Sequence, residues 1–285
     1  MLHAQSASEM EKFIADYAQS KKATIGVAAS DGNDYKIGYN AYQKFPLLSV
    51  FKLHVALATL DKMNQLKTHP DSMLHIKASQ LKTNTYSPLQ KQFPNQDLSV
   101  SLKNLLEYCV SQSDNNACDI LIDYVGGINA VDRYIRSLGL HDFRLSKTEN
   151  DMHVDPMQQY ANYSTPVELI QLLHLLDKKS LFKPIYHNLL WHAMVATQTG
   201  TDKLKGELPD NVTVGHKTGS SDRIKGIKIA DNDAGITLLP NGKKYYMVVF
   251  VMNSYETDKE NAAIIAHISK MVYDWYMNIS KNYND

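Results

Sequence analysis

The 285-residue chain carries 30 Lys and Arg against 30 Asp and Glu and is 44% hydrophobic, long enough for one large domain or two interleaved ones around a substantial core. Balanced charge, with no polybasic tail, acidic tract or basic stripe with interleaved aromatics, excludes nucleic acid and anionic membrane as natural partners and favours a small neutral or anionic ligand. No apolar run reaches the length of a bilayer span, the longest being strand-sized as at Tyr245 to Met252, so a soluble protein is expected.

In chain order, Met1 to Ser20 lacks the apolar core of a signal peptide and predicts an amphipathic helix over residues 7 to 20; either the chain stays in the cytoplasm or a signal has been removed. Ala23 to Ala29 and Tyr35 to Tyr39 predict two strands joined around Asp31-Gly32-Asn33. Leu48 to Leu60 places Val50, Leu53, Leu57 and Leu60 at helical spacing, with Ser49 at the start of the helix and Lys52 on its next turn. Leu98, Leu102, Leu105, Leu106 and Cys109 mark one later helix, Ala117, Ile120, Leu121 and Tyr124 a second that ends at Gly126-Gly127, and Val131, Tyr134 and Ile135 a third. Leu140 to Ser164 has no apolar periodicity, and so long a loop in a compact domain is usually functional. Its Phe143, Met152, Tyr160 and Tyr163 argue for a packed loop. Thr165-Pro166-Val167-Glu168 then predicts a capping box with proline at the first helical position, opening a helix to Leu176. An edge strand is expected at Val212 to Ser221, further strands at Lys225 to Ala230, Gly235 to Leu239 and Tyr245 to Met252 with a turn at Asn241-Gly242, and a final helix from Lys259 to Tyr276.

Strands confined to the two chain ends predict an α+β fold, with an antiparallel sheet of about five strands flanked by helices and an all-helical lobe inserted between. The expected division is 1–48 plus 195–285 for the sheet lobe and 49–194 for the helical lobe, with a cleft between them. Cys109 and Cys118 look like small buried hydrophobes and do not fix a redox compartment. His141, His153 and His216 have no ligand-type spacing, so neither metal nor cofactor is expected.

Four short motifs carry chemistry. Ser-x-x-Lys occurs at Ser49-Val50-Phe51-Lys52, Ser79-Gln80-Leu81-Lys82 and Ser180-Leu181-Phe182-Lys183, but only the first leads into an apolar helix; the other two serines are expected at the surface. Residues three apart share a helix face, so the Lys52 amine can reach the Ser49 hydroxyl, and burial would lower its pKa toward that of a working base. Alone, the pattern is more often a capping serine followed by a solvated lysine. Ser113-Asp114-Asn115 interrupts a helical pattern and could be no more than a helix end with a new cap at Asn116. Glu149, on the long loop, can be held over a cleft as a base toward water. Lys217-Thr218-Gly219 lies on the edge strand, where Lys217 and Gly219 share a side and the glycine leaves room for a close backbone approach by substrate.

Taken together and in this order, the motifs resemble those of the class A serine β-lactamases, over nearly the whole chain. The resemblance implies that Ser49 attacks a lactam carbonyl, that Lys52 and Glu149 share its activation, the latter through a catalytic water, and that Ser113 passes a proton to the lactam nitrogen. It implies further that Asn115 holds the acyl side-chain amide, that Lys217 and Thr218 bind the carboxylate, and that the backbone N–H groups of Ser49 and Ser220 form an oxyanion hole. Tyr86, His153 and Gly219 complete the implied substrate contacts. The implied partner is a small β-lactam, with no nucleic acid and no membrane, acting on a periplasmic monomer.

The loop departs from the family's Arg-x-Glu-Pro-x-Leu-Asn, reading Lys147-Thr148-Glu149-Asn150-Asp151-Met152-His153. Without proline after the glutamate a cis peptide there is costly, and His153 stands where the family's water-holding asparagine would be. With Gln159-Tyr160-x-Asn162 following, this is similar to a divergent extended-spectrum subgroup that favours cephalosporins. A penicillin-binding D,D-peptidase or a non-hydrolytic β-lactam receptor would share the other motifs but not the role of Glu149.

Overall fold

The computed structural model describes residues 6–32, 35–178 and 181–282. Helix α1 (Ala7–Gln19) starts at Ser6, whose hydroxyl accepts from the Glu9 N–H while the Glu9 carboxylate accepts from the Ser6 N–H, two orphan donors satisfied reciprocally. Strands β1 (Thr24–Ser30) and β2 (Tyr35–Tyr39) follow; of the turn expected between them, Gly32 has φ 95° and Asn33 lies outside the described residues. After β3 (Phe45–Pro46) a 3-10 turn at Leu48–Phe51 leads into α2 (Lys52–Leu66). Ser49 therefore sits in the tight turn, and the α-helix begins only at Lys52.

The middle of the chain runs β4 (Met73–Ile76), α3 (Pro88–Gln92), β5 (Leu98–Ser101), α4 (Leu102–Val110), α5 (Asn115–Val125), α6 (Ile128–Ser137), β6 (Phe143–Arg144), α7 (Glu149–Val154), β7 (Tyr163–Ser164), α8 (Pro166–Asp177) and α9 (Pro184–Val195). It closes with β8 (Thr213–Ser220), β9 (Arg223–Ile224), β10 (Ile227–Leu238), β11 (Lys244–Ser254) and α10 (Asp258–Asn282). Leu98 is in a strand and not in the helix predicted for it. It pairs with Ile76, and the helix starts where Ser101 accepts from the Asn104 N–H. Only half of the capping box at Thr165 forms: Thr165 caps the Glu168 N–H, but the Glu168 carboxylate accepts from the N–H groups of His141 and Asp142 and ties down the preceding loop.

The main sheet is antiparallel in the order β2-β1-β11-β10-β8, with β9 hydrogen-bonded to β10. Alternate residues of β11 point to opposite cores. Tyr245, Met247, Val249 and Val251 pack with Ile14 of α1 and Ile264, Ile268 and Val272 of α10, whereas Tyr246, Val248 and Phe250 pack with the helices of the middle segment. A strand covered on both faces reads as a continuous apolar run. Helix α2 is buried nearly all round, with Leu53, Val55, Ala56, Leu57 and Leu60 at 0% exposure. Each such aliphatic side chain larger than alanine stabilises by about 1.5–3 kcal/mol. Lys52 at 0% exposure is thus a charge at the entry of a core helix, a position that demands partners.

The two strands predicted at Lys225 to Ala230 and Gly235 to Leu239 are one, β10. Asp231-Asn232-Asp233 looks like a turn in sequence but is fully buried in mid-strand because each side chain is satisfied. Asp231 takes Lys203, Asn232 donates to the carbonyls of Pro46 and Leu47, and Asp233 takes His216. The turn instead falls at Lys225 and Gly226, with φ 49° and 84°.

Candidate active site

Ser49 is presented by backbone strain and close packing. The preceding Leu48 has φ 47°, a conformation that costs a β- or γ-branched residue roughly 1–3 kcal/mol, and it is held there by Ile229 and Ala230 of β10 and by Tyr160 and Ile224. The Leu47 N–H donates to the Asn162 carbonyl (2.9 Å). Strand β8 lies against the turn at Gly219, where an added Cβ would fall 2.5 Å from the Leu47 oxygen and 3.1 Å from the Ser49 nitrogen. The close approach foreseen at this glycine is made by the chain's own nucleophile turn and not by a substrate.

Lys52 Nζ lies 3.0 Å from Ser49 Oγ, 2.9 Å from Glu149 Oε1, 2.7 Å from the Ser113 carbonyl and 2.6 Å from Asn115 Oδ1. Ser49 Oγ is itself 3.3 Å from Glu149 Oε1. Burial pushes the Lys52 ammonium toward deprotonation, but the Glu149 carboxylate outweighs burial and the pKa is raised. The lowered pKa expected for Lys52 is not found, because a carboxylate one hydrogen bond away compensates the lost solvent. The depressed lysine is Lys217, pushed down to about 7 by burial and then by the Lys52 charge. Its Nζ donates to Ser113 Oγ and to the Thr218 carbonyl, both at 2.8 Å.

Ser113 stands between α4 and α5 with φ 58°. Helix α5 is capped by Asp114, not Asn116: its carboxylate accepts from the Ala117 and Leu89 N–H groups (2.8 and 2.7 Å) and from Ser87 Oγ. Asn116 instead brackets the backbone of Lys82. Asn115 donates to Thr85 Oγ1 (2.9 Å) and its N–H to the Tyr86 carbonyl (3.0 Å), which brings half-exposed Tyr86 to the cleft.

Glu149 opens α7. Thr148 and Asp151 form a capping box around it, and the Glu149 and Asn150 N–H groups donate to the two carboxylate oxygens of Asp119 on α5 (2.8 and 2.9 Å). Burial, then the Glu149 charge, raises the Asp119 pKa to about 7. Asn162 closes the segment by accepting from the Ser146 and Lys147 N–H groups and donating to the Lys147 carbonyl. The expected packed loop is present, with Phe143 and Met152 buried, but it contains a helix and two short strands. Every described peptide bond is trans.

These residues meet at one open cleft of about 600 Å³, lined by Ser49, Tyr86, Ser113, Asn115, Glu149, His153, Thr218 and Ser220. Lys52 and Lys217 lie beneath its floor. Sequence reasoning missed Thr199, whose hydroxyl is 2.6 Å from that of Thr218, and Lys203, ion-paired with Asp231 at the wall. The signal for Lys203 was present in the polar triplet at 231–233. Ser79 is exposed as expected, and Ser180 lies outside the described residues. Cys109 and Cys118 are free buried thiols.

The family profile described as Beta-lactamase enzyme family matches residues 7–276. The chain is similar to a β-lactamase of Bacteroides uniformis, 52% identical over 276 residues, covering 96% of this chain and 93% of that one. It is 38% identical to the extended-spectrum β-lactamase PER-1 of Pseudomonas aeruginosa, covering 90% and 83%. Among solved structures, a class A β-lactamase from Bacteroides cellulosilyticus superposes with a TM-score of 0.93 at 53% identity, covering 96% of this chain and 99% of that one.

Proposed function

This chain belongs to the class A β-lactamases, hydrolases of the β-lactam amide bond that confer antibiotic resistance, and from that premise we propose how its own residues divide the work. Ser49 Oγ attacks the lactam carbonyl carbon as Glu149 takes its proton, directly or through a water. Lys52, kept as an ammonium by Glu149, holds both groups in register and does not act as the resting base. The lactam C–N bond breaks as Ser113 Oγ gives its proton to the nitrogen, with the Lys217 ammonium behind it. Ser113 is reprotonated by the proton that Glu149 took from Ser49, passed on through the Lys52 ammonium between them, so that Glu149 is a carboxylate again. A water then attacks the Ser49 ester, Glu149 accepts its proton, and Ser49 leaves with a proton restored.

The developing oxyanion is received by the Ser49 and Ser220 N–H groups. Strand β8 is an edge, and the Ser221 N–H donates to the Ala230 carbonyl, so alternation turns the Ser220 N–H outward toward the cleft. A donor of this kind contributes about 3 kcal/mol of barrier lowering. Asn115, Thr218 and Tyr86 line the acyl and carboxylate positions, Gly219 packs behind them on the nucleophile turn, and His153 at the cleft wall steers the deacylating water. The sheet lobe, 1–48 plus 195–285, carries Lys217, and the helical lobe, 49–194, carries the nucleophile and the loop glutamate. We read the protein as an exported, periplasmic monomer with a preference for cephalosporins.

The observation that carries this reading is the placement of Glu149 within 3.3 Å of Ser49 Oγ. A D,D-peptidase or receptor, whose adduct with a β-lactam persists, has no need there of a base that activates water toward that adduct. Purified protein is expected to turn over a chromogenic cephalosporin catalytically, and Glu149→Ala to give a burst followed by a stable adduct on Ser49 visible by mass spectrometry. Unchanged hydrolysis by Ser49→Ala would refute the mechanism.

A further inference from the structure

The segment bearing Glu149 is tied to the helical side of the cleft at several points, through Asp119 of α5, Asp132 of α6 and the Lys52 ion pair. Toward the strands β8 to β11 its described hydrogen bonding is a single contact. Tyr160, on the 3-10 turn Pro156–Ala161, donates its hydroxyl to Asn253 Oδ1 at 2.5 Å across 93 residues of chain. Both ends are specialised. The Tyr160 ring packs on the small cluster of Leu48, Ile229 and Ala230 behind the nucleophile turn. Asn253 has φ 53° near the end of β11, a backbone state that asparagine adopts more readily than other non-glycine residues. The neighbour of Tyr160, Gln159, lines the cleft, and its Oε1 is buried with no partner among the described residues. Gln159, Met152, Ser221 and Asp222 all line the cleft, and Tyr160–Asn253 is the described hydrogen bond that joins the segment of the first two to the strands.

We propose that the Tyr160–Asn253 hydrogen bond is a latch that fixes the position of the Gln159 wall and so selects the size of the β-lactam acyl side chain. Tyr160 is a positioning residue: it does not itself line the cleft and acts through Gln159 and Leu48, which do. The inference rests on hydrolysis at Ser49, and wild-type turnover of a cephalosporin with a small acyl chain tests that premise separately. A bond of this kind is a modest, breakable contact, so its loss shifts the balance of held and released wall by roughly three- to tenfold.

The test compares kcat/KM for a cephalosporin with a branched oxyimino side chain and for one with an acetyl side chain in wild type, Tyr160→Phe, Asn253→Gly and the double variant. Glycine keeps the left-handed backbone while removing the acceptor. Each single variant is expected to raise the bulky-to-small ratio roughly three- to tenfold while the small substrate changes by less than about twofold, and the double variant should add nothing beyond either single one, as two ends of one contact must. An unchanged or lowered ratio, parallel changes for both substrates, or additive effects in the double variant would overturn the latch. Absence of wild-type turnover of either substrate would overturn the premise and the latch together.

Discussion

The two halves of the catalytic centre are built by different means. Ser49, Lys52 and Lys217 sit on a tight turn, a core helix and an edge strand, positioned by apolar packing and by backbone against backbone at Gly219. Glu149 opens the short helix α7, positioned by side chains that reach in from elsewhere to hold its backbone, Asp119 above all. The first kind of support is stiff because a packed interior cannot yield without losing contacts. The second depends on a few hydrogen bonds, each removable by one substitution, so the two halves should fail differently.

The largest effect is expected from breaking the stiff half. Gly219→Ala places a methyl 2.5 Å from the Leu47 oxygen, and backbone on both sides leaves no flexible side chain to give way. A displacement of about 1 Å at a nucleophile costs on the order of a hundredfold in rate. Acylation measured by stopped flow should fall by that order, with deacylation of whatever adduct forms much less affected. Equal slowing of both steps would mean that β8 does not govern Ser49 in particular.

Next comes the hydrogen-bonded half. Asp119→Ala leaves the Glu149 and Asn150 N–H groups without their acceptors, at a cost of about 1–3 kcal/mol for each buried donor left unpaired. Relaxation of α7 carries Glu149 off its line to the ester, so deacylation should slow roughly ten- to a hundredfold, since each 1.4 kcal/mol is a factor of ten. The adduct should accumulate in the steady state, read by mass spectrometry, while kcat/KM falls less. A variant that deacylates at the wild-type rate would remove Asp119 from this role.

The same contrast explains what could be read from the chain before its structure was known. Ser49 was legible because, unlike Ser79 and Ser180, it leads into a long apolar helix, and β11 because it is buried on both faces. Lys217 was placed on its edge strand correctly, yet the role of Gly219 was not, since the approach of Leu47 is a contact between distant segments. Around Glu149 the supports are illegible in principle: a carboxylate at 119 on a regular helix gives no sign that it accepts from backbone 30 residues away. The unbroken β10 was missed for the related reason that Asp231, Asn232 and Asp233 are satisfied only by residues remote in sequence.

The smallest expected effect is a pH dependence of the packed half, read in kcat/KM; the Asp119 carboxyl of the other half also titrates near 7 but bears on deacylation. Burial, then Lys52, brings the Lys217 pKa to about 7 from its ordinary 10.5, and kcat/KM reports the ionisation of the free enzyme. Carboxylate capture needs the ammonium, so kcat/KM should decline as pH rises through 7, by roughly tenfold between pH 6 and pH 8 if this group alone governs it. Stability runs the opposite way. Between pH 7 and about 10.5 the unfolded chain holds a proton that the native Lys217 has released, so the Lys217 contribution favours the native state increasingly with pH across that window, and its full penalty is present below pH 7. Falling kcat/KM with a melting temperature that does not fall in step separates loss of the Lys217 charge from loosening of the fold. If the two decline together, the alkaline limb belongs to the structure as a whole and not to the one lysine beneath Ser113.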